Sequence, residues 1–428
     1  MSITHRTASV LLALALLLTG CATPQPTPTP TATPALTATP TPQPAMFRNG
    51  PEHRGVYAPQ AGAAEWMAEV GAPLDSSPVV ADGRVYCGAG DGRFIALDVR
   101  TGKEAWVFKA DAQLVSSPVI SEGILYFGSL AGTLYALRAE DGQEVWRLST
   151  GAPIVSSPAV AGGLVLFASF DGKVHAVDVK TGSDRWTFNA ATQASPTVES
   201  GTVLIGSADG VLYALDLETG REKWQFKAGE QVISTPAVSD GIVYHGAWDG
   251  KLYALSLETG KENWAFAQQE EIPIASSPAV ADGVVYFAAA DGSVYAVDIA
   301  TRAQKWRFQT GDTILSSPAV ADGMVYVGSF DGRFYALDAR TGLEKWRFQT
   351  EGEVWSSPSV AGDFVYFTSH DGRVYSLNRS GPQIALAAAP TPPPLQPTPT
   401  LMPPPSEQPA AGTGGLPWWN DRVFYEVF

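Results

Sequence analysis

The stretch FDGRFYALDARTGLEKWRFQT, residues 330–350, reads as a turn, a strand, a second turn and a second strand carrying a tryptophan. RFYALD is rich in aromatic and aliphatic residues and short, Asp-Gly and Thr-Gly bracket it, and no helix-period pattern runs through it. The same arrangement recurs. Tryptophans fall at Trp66, Trp106, Trp146, Trp186, Trp224, Trp264, Trp306 and Trp346, and Ser-Pro or Thr-Pro steps at Pro78, Pro118, Pro158, Pro196, Pro236, Pro278, Pro318 and Pro358. A period of about forty residues is the length of a four-stranded propeller blade, longer than a leucine-rich or paired-helix repeat.

Extending the window back to residue 316 gives SSPAVADGMVYVGSFDGRFYALDARTGLEKWRFQT, which the turn dipeptides cut into four strands. The first runs through SPAV to Asp322-Gly323, the second is MVYVGS to Asp331-Gly332, the third RFYALD, and Thr341-Gly342 leads into EKWRFQT. Asp338 and its counterparts Asp98, Asp178, Asp216 and Asp298 are placed to accept hydrogen bonds from their own turns, a structural role. One large ring per unit at one position reads as interblade packing. The last unit continues after Leu377 as NRSGPQIAL with no tryptophan strand, while AEWMAEV around Trp66 is a fourth strand with no blade before it. The two halves complete each other. The expected fold is all-β: an eight-bladed propeller of four-stranded blades, closed by an N-terminal strand pairing beside Tyr375 in the last blade, which leaves no open sheet edge.

Composition sets the boundaries. Residues 47–386 form the propeller; 21–46 are a Thr/Pro-rich tether and 387–415 a proline-rich linker, neither able to bury a core. Residues 1–20 form an export signal whose apolar run, VLLALALLL, is too short to span a bilayer. Leu18-Thr19-Gly20-Cys21 resembles the lipobox of bacterial lipoproteins, which implies lipidation of Cys21 and a membrane-anchored, extracytoplasmic protein at the cell surface or in the periplasm. Cys87 is then alone and reads as a small buried hydrophobe. The net charge of −15 comes with no cluster of Lys or Arg, which argues against nucleic acid as a partner. A monomer is expected.

The pattern Ala-Leu-Asp-x-x-Thr-Gly-x-x-x-Trp, at Ala96 to Trp106, Ala214 to Trp224 and Ala336 to Trp346, resembles the tryptophan-docking motif of PQQ-type β-propellers. The lead-in MFRNGPEHRGVY is similar to the N-terminal start of that family. Two branches follow from the resemblance. Quinoprotein dehydrogenases hold PQQ and a metal ion, with adjacent cysteines and carboxylate and amide ligands; the sequence has no adjacent cysteines and no matching ligand set, so no cofactor is expected. BamB-like outer-membrane assembly lipoproteins are eight-bladed, noncatalytic and bind partner proteins, which fits the plain blades and the lipobox, although they lack long Thr/Pro spacers. At the C-terminus, residues 416–428 contain Trp418-Trp419-Asn420-Asp421 and the run VFYEVF, which resemble the start of an α-amylase superfamily catalytic barrel. That reading makes the propeller an accessory domain of a truncated glycoside hydrolase whose paired carboxylates lie beyond this chain.

Chemistry within the repeats is sparse. No histidine spacing suits a metal pair, and His175 replaces the tyrosine of other units. In a propeller the loops from fourth to first strand and from second to third strand share one face, so departures from the repeat gather around one mouth. The residue before each second-strand turn runs Gly90, Leu130, Phe170, Ala208, Trp248, Ala290, Phe330, His370; the residue three before each proline runs Asp75, Val115, Val155, Gln193, Ile233, Ala275, Leu315, Trp355. Asp75, Phe170, Trp248, Phe330, Trp355 and His370 are the candidate contacts with a protein or polysaccharide, the alternative being aromatics packed inward to plug the channel. The expected function is a noncatalytic, lipid-anchored binding or scaffold module, with the hydrolase accessory domain and a PQQ-dependent dehydrogenase as the enzymatic alternatives.

Overall fold

The computed structural model describes residues 49–61, 63–268 and 271–384; Cys21, the tether, the linker and residues 416–428 lie outside them. The described residues form eight sheets, seven of four strands and one of five. In the seventh blade the strands are Ala319–Ala321, Met324–Gly328, Arg333–Asp338 and Glu344–Gln349, ordered from the channel outward and antiparallel throughout. A bulge between Ala336 and Leu337 sets Trp346 opposite Ala336, and the other complete blades repeat this shift next to their tryptophans. Bulges raise local twist, and a strongly twisted blade is what a propeller requires.

The ring closes as the sequence predicts. Trp66–Glu69 pairs antiparallel with Arg373–Asn378, with Trp66 opposite Ser376 and Met67 opposite Tyr375. The eighth sheet has a further strand that the repeat does not predict: Val56–Tyr57 runs parallel to the inner strand Ser359–Ala361, with Val56 opposite Val360.

The core is a ring of layers. Eight apolar clusters are buried, and each joins two neighbouring blades. Phe94 of blade one stacks on Phe127 of blade two at 4.0 Å, and Phe334 of blade seven on Phe367 of blade eight at 4.1 Å. The layer between blades eight and one unites Tyr366 and Val374 with Trp66, Leu74 and Val85, so the seam is as apolar as the other interfaces. No blade could bury both faces alone.

Three side-chain series fasten the layers. Seven blade tryptophans donate Nε1–H to a backbone carbonyl of the next blade, as Trp66 to Val99 at 2.9 Å and Trp346 to Arg379 at 3.0 Å. The Thr-Gly glycine of that next blade lies under the indole, where a Cβ on Gly342 would stand 2.6 Å from Trp306. The aspartate of the same turn accepts from its own backbone, as Asp338 Oδ1 does from the Thr341 N–H at 2.9 Å. Around the channel, the residue before the proline passes its N–H to the hydroxyl of the equivalent serine in the following blade at six steps: Ser77 to Ser117, Ser117 to Ser157, Ser157 to Ser195, Thr235 to Ser277, Ser277 to Ser317, Ser317 to Ser357. Ser357 completes the belt by donating to Ser77.

Candidate functional site

The two faces of the ring differ. Inner strands run from the face of the outer-to-inner loops, here the loop face, to the face of the first-to-second turns, here the turn face. On the loop face each variable turn residue is fixed through its backbone N–H, which donates to a carbonyl of the loop entering the same blade: Phe170 to Pro153, Trp248 to Gln231, Phe330 to Thr313, His370 to Glu353, at 2.9–3.0 Å. The backbone is thus uniform while the side chains are free to differ.

Four of the six sequence candidates come together. Phe330 of blade seven stacks on Trp355 of blade eight at 4.6 Å and 11°, and the other face of Trp355 covers His370 at 4.4 Å and 23°. His370 Nε2 meets Asp75 Oδ1 of blade one at 2.5 Å, with both side chains largely buried at 18% and 13% exposure. The run therefore crosses three blades and bridges the closing seam. Two residues that the sequence did not single out finish it: Glu353 accepts from Trp355 Nε1 at 2.5 Å, and Gln113 Nε2 reaches Asp75 Oδ2 at 3.4 Å. Neither had a signal in the repeat beyond being polar in a variable loop. Phe170 and Trp248, half-buried, sit in blades three and five, away from this run.

The arrangement limits what can bind. Stacking on a sugar needs an open ring face, and both faces of Trp355 are covered. Trp355 and Phe330 are both half-buried, and the Glu351–Arg373 pair at 2.7 Å lies beside the same turn. Nearby, the Asp371 carboxylate accepts from Tyr375 Oη at 2.5 Å, and burial together with that carboxylate pushes the phenol far above its usual range. His175 makes the equivalent contact with Asp171 at 3.0 Å, which accounts for it as a substitute for tyrosine.

The turn face is closed by the chain itself. Residues 49–57 curl across the ends of the inner strands, and carbonyls of Pro51, Glu52, Arg54 and Gly55 accept the N–H groups of Val238, Val280, Val320 and Val360 in blades five to eight, at 2.7–2.9 Å. His53 is fully buried and its Nε2 lies 3.1 Å from Thr197 Oγ1 of blade four. Between Tyr57 and the Ser-Pro steps of blades eight, one and two about 10 Å³ is left, the room of a single water at most. The described ends share this face: the link after Tyr57 bonds Gly83 through Gln60, and Gln383 bonds Glu65. Two interblade clefts also open here, of about 510 Å³ beside Arg84, Glu122 and Arg138 and about 490 Å³ beside Thr202, Lys223 and Leu257; no sequence pattern pointed to them.

Among the described residues no three His, Cys, Asp or Glu side chains converge to hold a metal ion. Cys87 is single and buried, and burial pushes its thiol up to about 12. No helix among the described residues is long and apolar enough to cross a membrane.

Comparisons with known proteins agree with this architecture. Residues 52–118 and 111–193 match the family model of the outer membrane protein assembly factor BamB, and residues 191–402 that of the β-propeller of beta-alanine-activating enzyme. No curated protein matches the sequence. Among solved structures, BamB from Moraxella catarrhalis is 21% identical with a TM-score of 0.65, covering 73% of this chain and 98% of its own. Quinohemoprotein alcohol dehydrogenase from Comamonas testosteroni is 16% identical with a TM-score of 0.68, covering 80% and 81%. The computationally designed Ika8 protein is 20% identical with a TM-score of 0.64, covering 74% and 100%. At these identities the solved structures share the fold alone, and binding proteins and enzymes both use it. The chain is an eight-bladed β-propeller whose residues 52–193 match the BamB family model.

Proposed function

We propose that this chain is a noncatalytic, lipid-anchored extracytoplasmic scaffold that binds a protein partner on its loop face. The observation that carries the reading is the run Phe330–Trp355–His370–Asp75, built from positions the repeat leaves free, with Glu353 bonded to the indole and Asp75 to the imidazole. Rigid, half-buried aromatics with a polar surround are the anchors that protein interfaces favour. The covered faces of Trp355 favour a protein over a polysaccharide. The match to the BamB family model supports the same class.

The test is site-specific photo-crosslinking in the native host. A photoreactive residue at position 330 is expected to capture a discrete protein adduct, and one at Asp363, exposed on the turn face, to capture none. Trp355→Ala should abolish the adduct from position 330. Equal labelling from both faces, or an adduct indifferent to Trp355, removes the assignment.

A further inference from the structure

The segment at the floor of the channel is attached to the ring as a ligand is attached to a site. Its carbonyls point outward to inner-strand N–H groups of four successive blades, from Val238 to Val360. Asn49, Gly50, His53 and Gly55 all have positive φ, between 52° and 108°, so the backbone is curled to match an arc. The His53 imidazole is fully buried and makes a polar contact with the wall at Thr197 Oγ1. By contrast, the eight interblade layers are complete without residues 49–55, and only Val56 and Tyr57 pack at their margins. Removing the segment takes Val56 and Tyr57 from the margins of three layers and otherwise uncovers backbone N–H groups that water can reach, so release largely exchanges protein hydrogen bonds for water bonds.

We propose that the channel floor is a peptide-binding site, filled in this chain by its own residues 49–57 and able to exchange that segment for a peptide supplied in trans. The ligand class is a curled peptide with outward carbonyls, glycine where the backbone turns left-handed, and an imidazole directed at Thr197. Recognition is by main-chain bonding to exposed strand edges, the principle of strand addition, with His53 supplying selectivity. The site is assembled only when blades five to eight exist, so the segment, made first, docks last. A pull on residues upstream of Asn49 acts first on this docking.

The experiment uses the full chain with a protease site inserted after Ala61, an exposed position in the link to Trp66. After folding and cleavage, the N-terminal fragment is expected to co-elute with the ring in gel filtration. An excess of fluorescent peptide of residues 46–58 should then displace it with 1:1 stoichiometry, while the His53→Ala peptide should need about tenfold more to do so. Circular dichroism follows the ring throughout. Unfolding on cleavage would make the segment an integral strut, loss of the fragment with no peptide rebinding would make it dispensable packing, and equal exchange by the His53→Ala peptide would mean that the floor does not read the segment. Each of these overturns the proposal.

Discussion

Ser357 donates its backbone N–H to Ser77 Oγ at 2.9 Å across the closing seam, joining residues 280 positions apart. The bond is the last link of the serine belt, and only here does the belt join chain ends. Ser77→Ala leaves the Ser357 N–H without its acceptor near the channel, at a cost of about 1–2 kcal/mol. Ser117→Ala breaks the link made by Ser77 inside the array, at similar cost. Hydrogen exchange separates them: Ser77→Ala is expected to speed exchange along Trp66–Glu69, the strand that closes the ring, and Ser117→Ala is not.

His245 is the clearest pH-dependent element. It occupies the second-strand position that Phe127, Phe167, Phe287 and Phe367 fill elsewhere, is stacked on Tyr253 at 5.2 Å, and both ring nitrogens are buried without a partner. Burial brings its pKa down from 6.5 to about 4. Between these values the unfolded chain binds a proton that the folded one does not, so its contribution is intact above pH 6.5 and lost as pH falls to 4, a change of about 3 kcal/mol. His245→Phe should remove this slope and raise stability at every pH below 6.5. Denaturant unfolding of both proteins at pH 7, 5.5 and 4 reads the difference; parallel pH profiles would contradict it.

Much of the fold was legible because the repeat states it eight times. The partition of residues 316–350 into four strands and the pairing of the Trp66 strand into the last blade follow from turn dipeptides and from the missing strand at each end. The floor was not legible. Residues 49–57 bond through backbone carbonyls to blades five to eight, and main-chain bonding of an irregular segment leaves no side-chain period to read. The loop-face candidates were legible as positions, since departures from a repeat stand out. Which of them touch depended on rotamers and on neighbours as far apart as Asp75 and His370, so the sequence grouped Phe170 and Trp248 with a run that the structure confines to blades seven, eight and one.

The Thr-Gly glycine has an internal control. Gly342 has φ 72° and lies against Trp306, so Gly342→Ala adds both backbone strain and overlap with the indole, about 2–4 kcal/mol in all. Blade six carries Arg302 at the corresponding position with φ 59°. Arg302→Gly removes the left-handed penalty and should stabilise by about 0.5–1 kcal/mol. Thermal melts of the two variants are expected to shift in opposite directions; a fall in Tm for Arg302→Gly would mean that its side chain contributes more than its backbone costs.

The aromatic run on the loop face predicts a pattern of energetic coupling. Trp355 contacts Phe330 and His370 through its two faces, and aromatic pairs contribute about 0.5–1.5 kcal/mol beyond burial, so Trp355→Ala should destabilise by about 1–3 kcal/mol at this half-buried site. Trp355→Phe keeps both stacks and loses only the Glu353 bond, with a cost under about 1 kcal/mol. His370→Ala removes one of the same stacks together with the contact to Asp75, so the double variant with Trp355→Ala should fall short of additivity by about 0.5–1.5 kcal/mol. Phe170 belongs to blade three and has no part in the run, and Phe170→Ala combined with Trp355→Ala should be additive within about 0.5 kcal/mol. Urea unfolding of the single and double variants measures both cycles. Coupling between Phe170 and Trp355 as large as that between His370 and Trp355 would mean that the loop face responds as one body, and the seam-spanning run would lose its claim to be a distinct site.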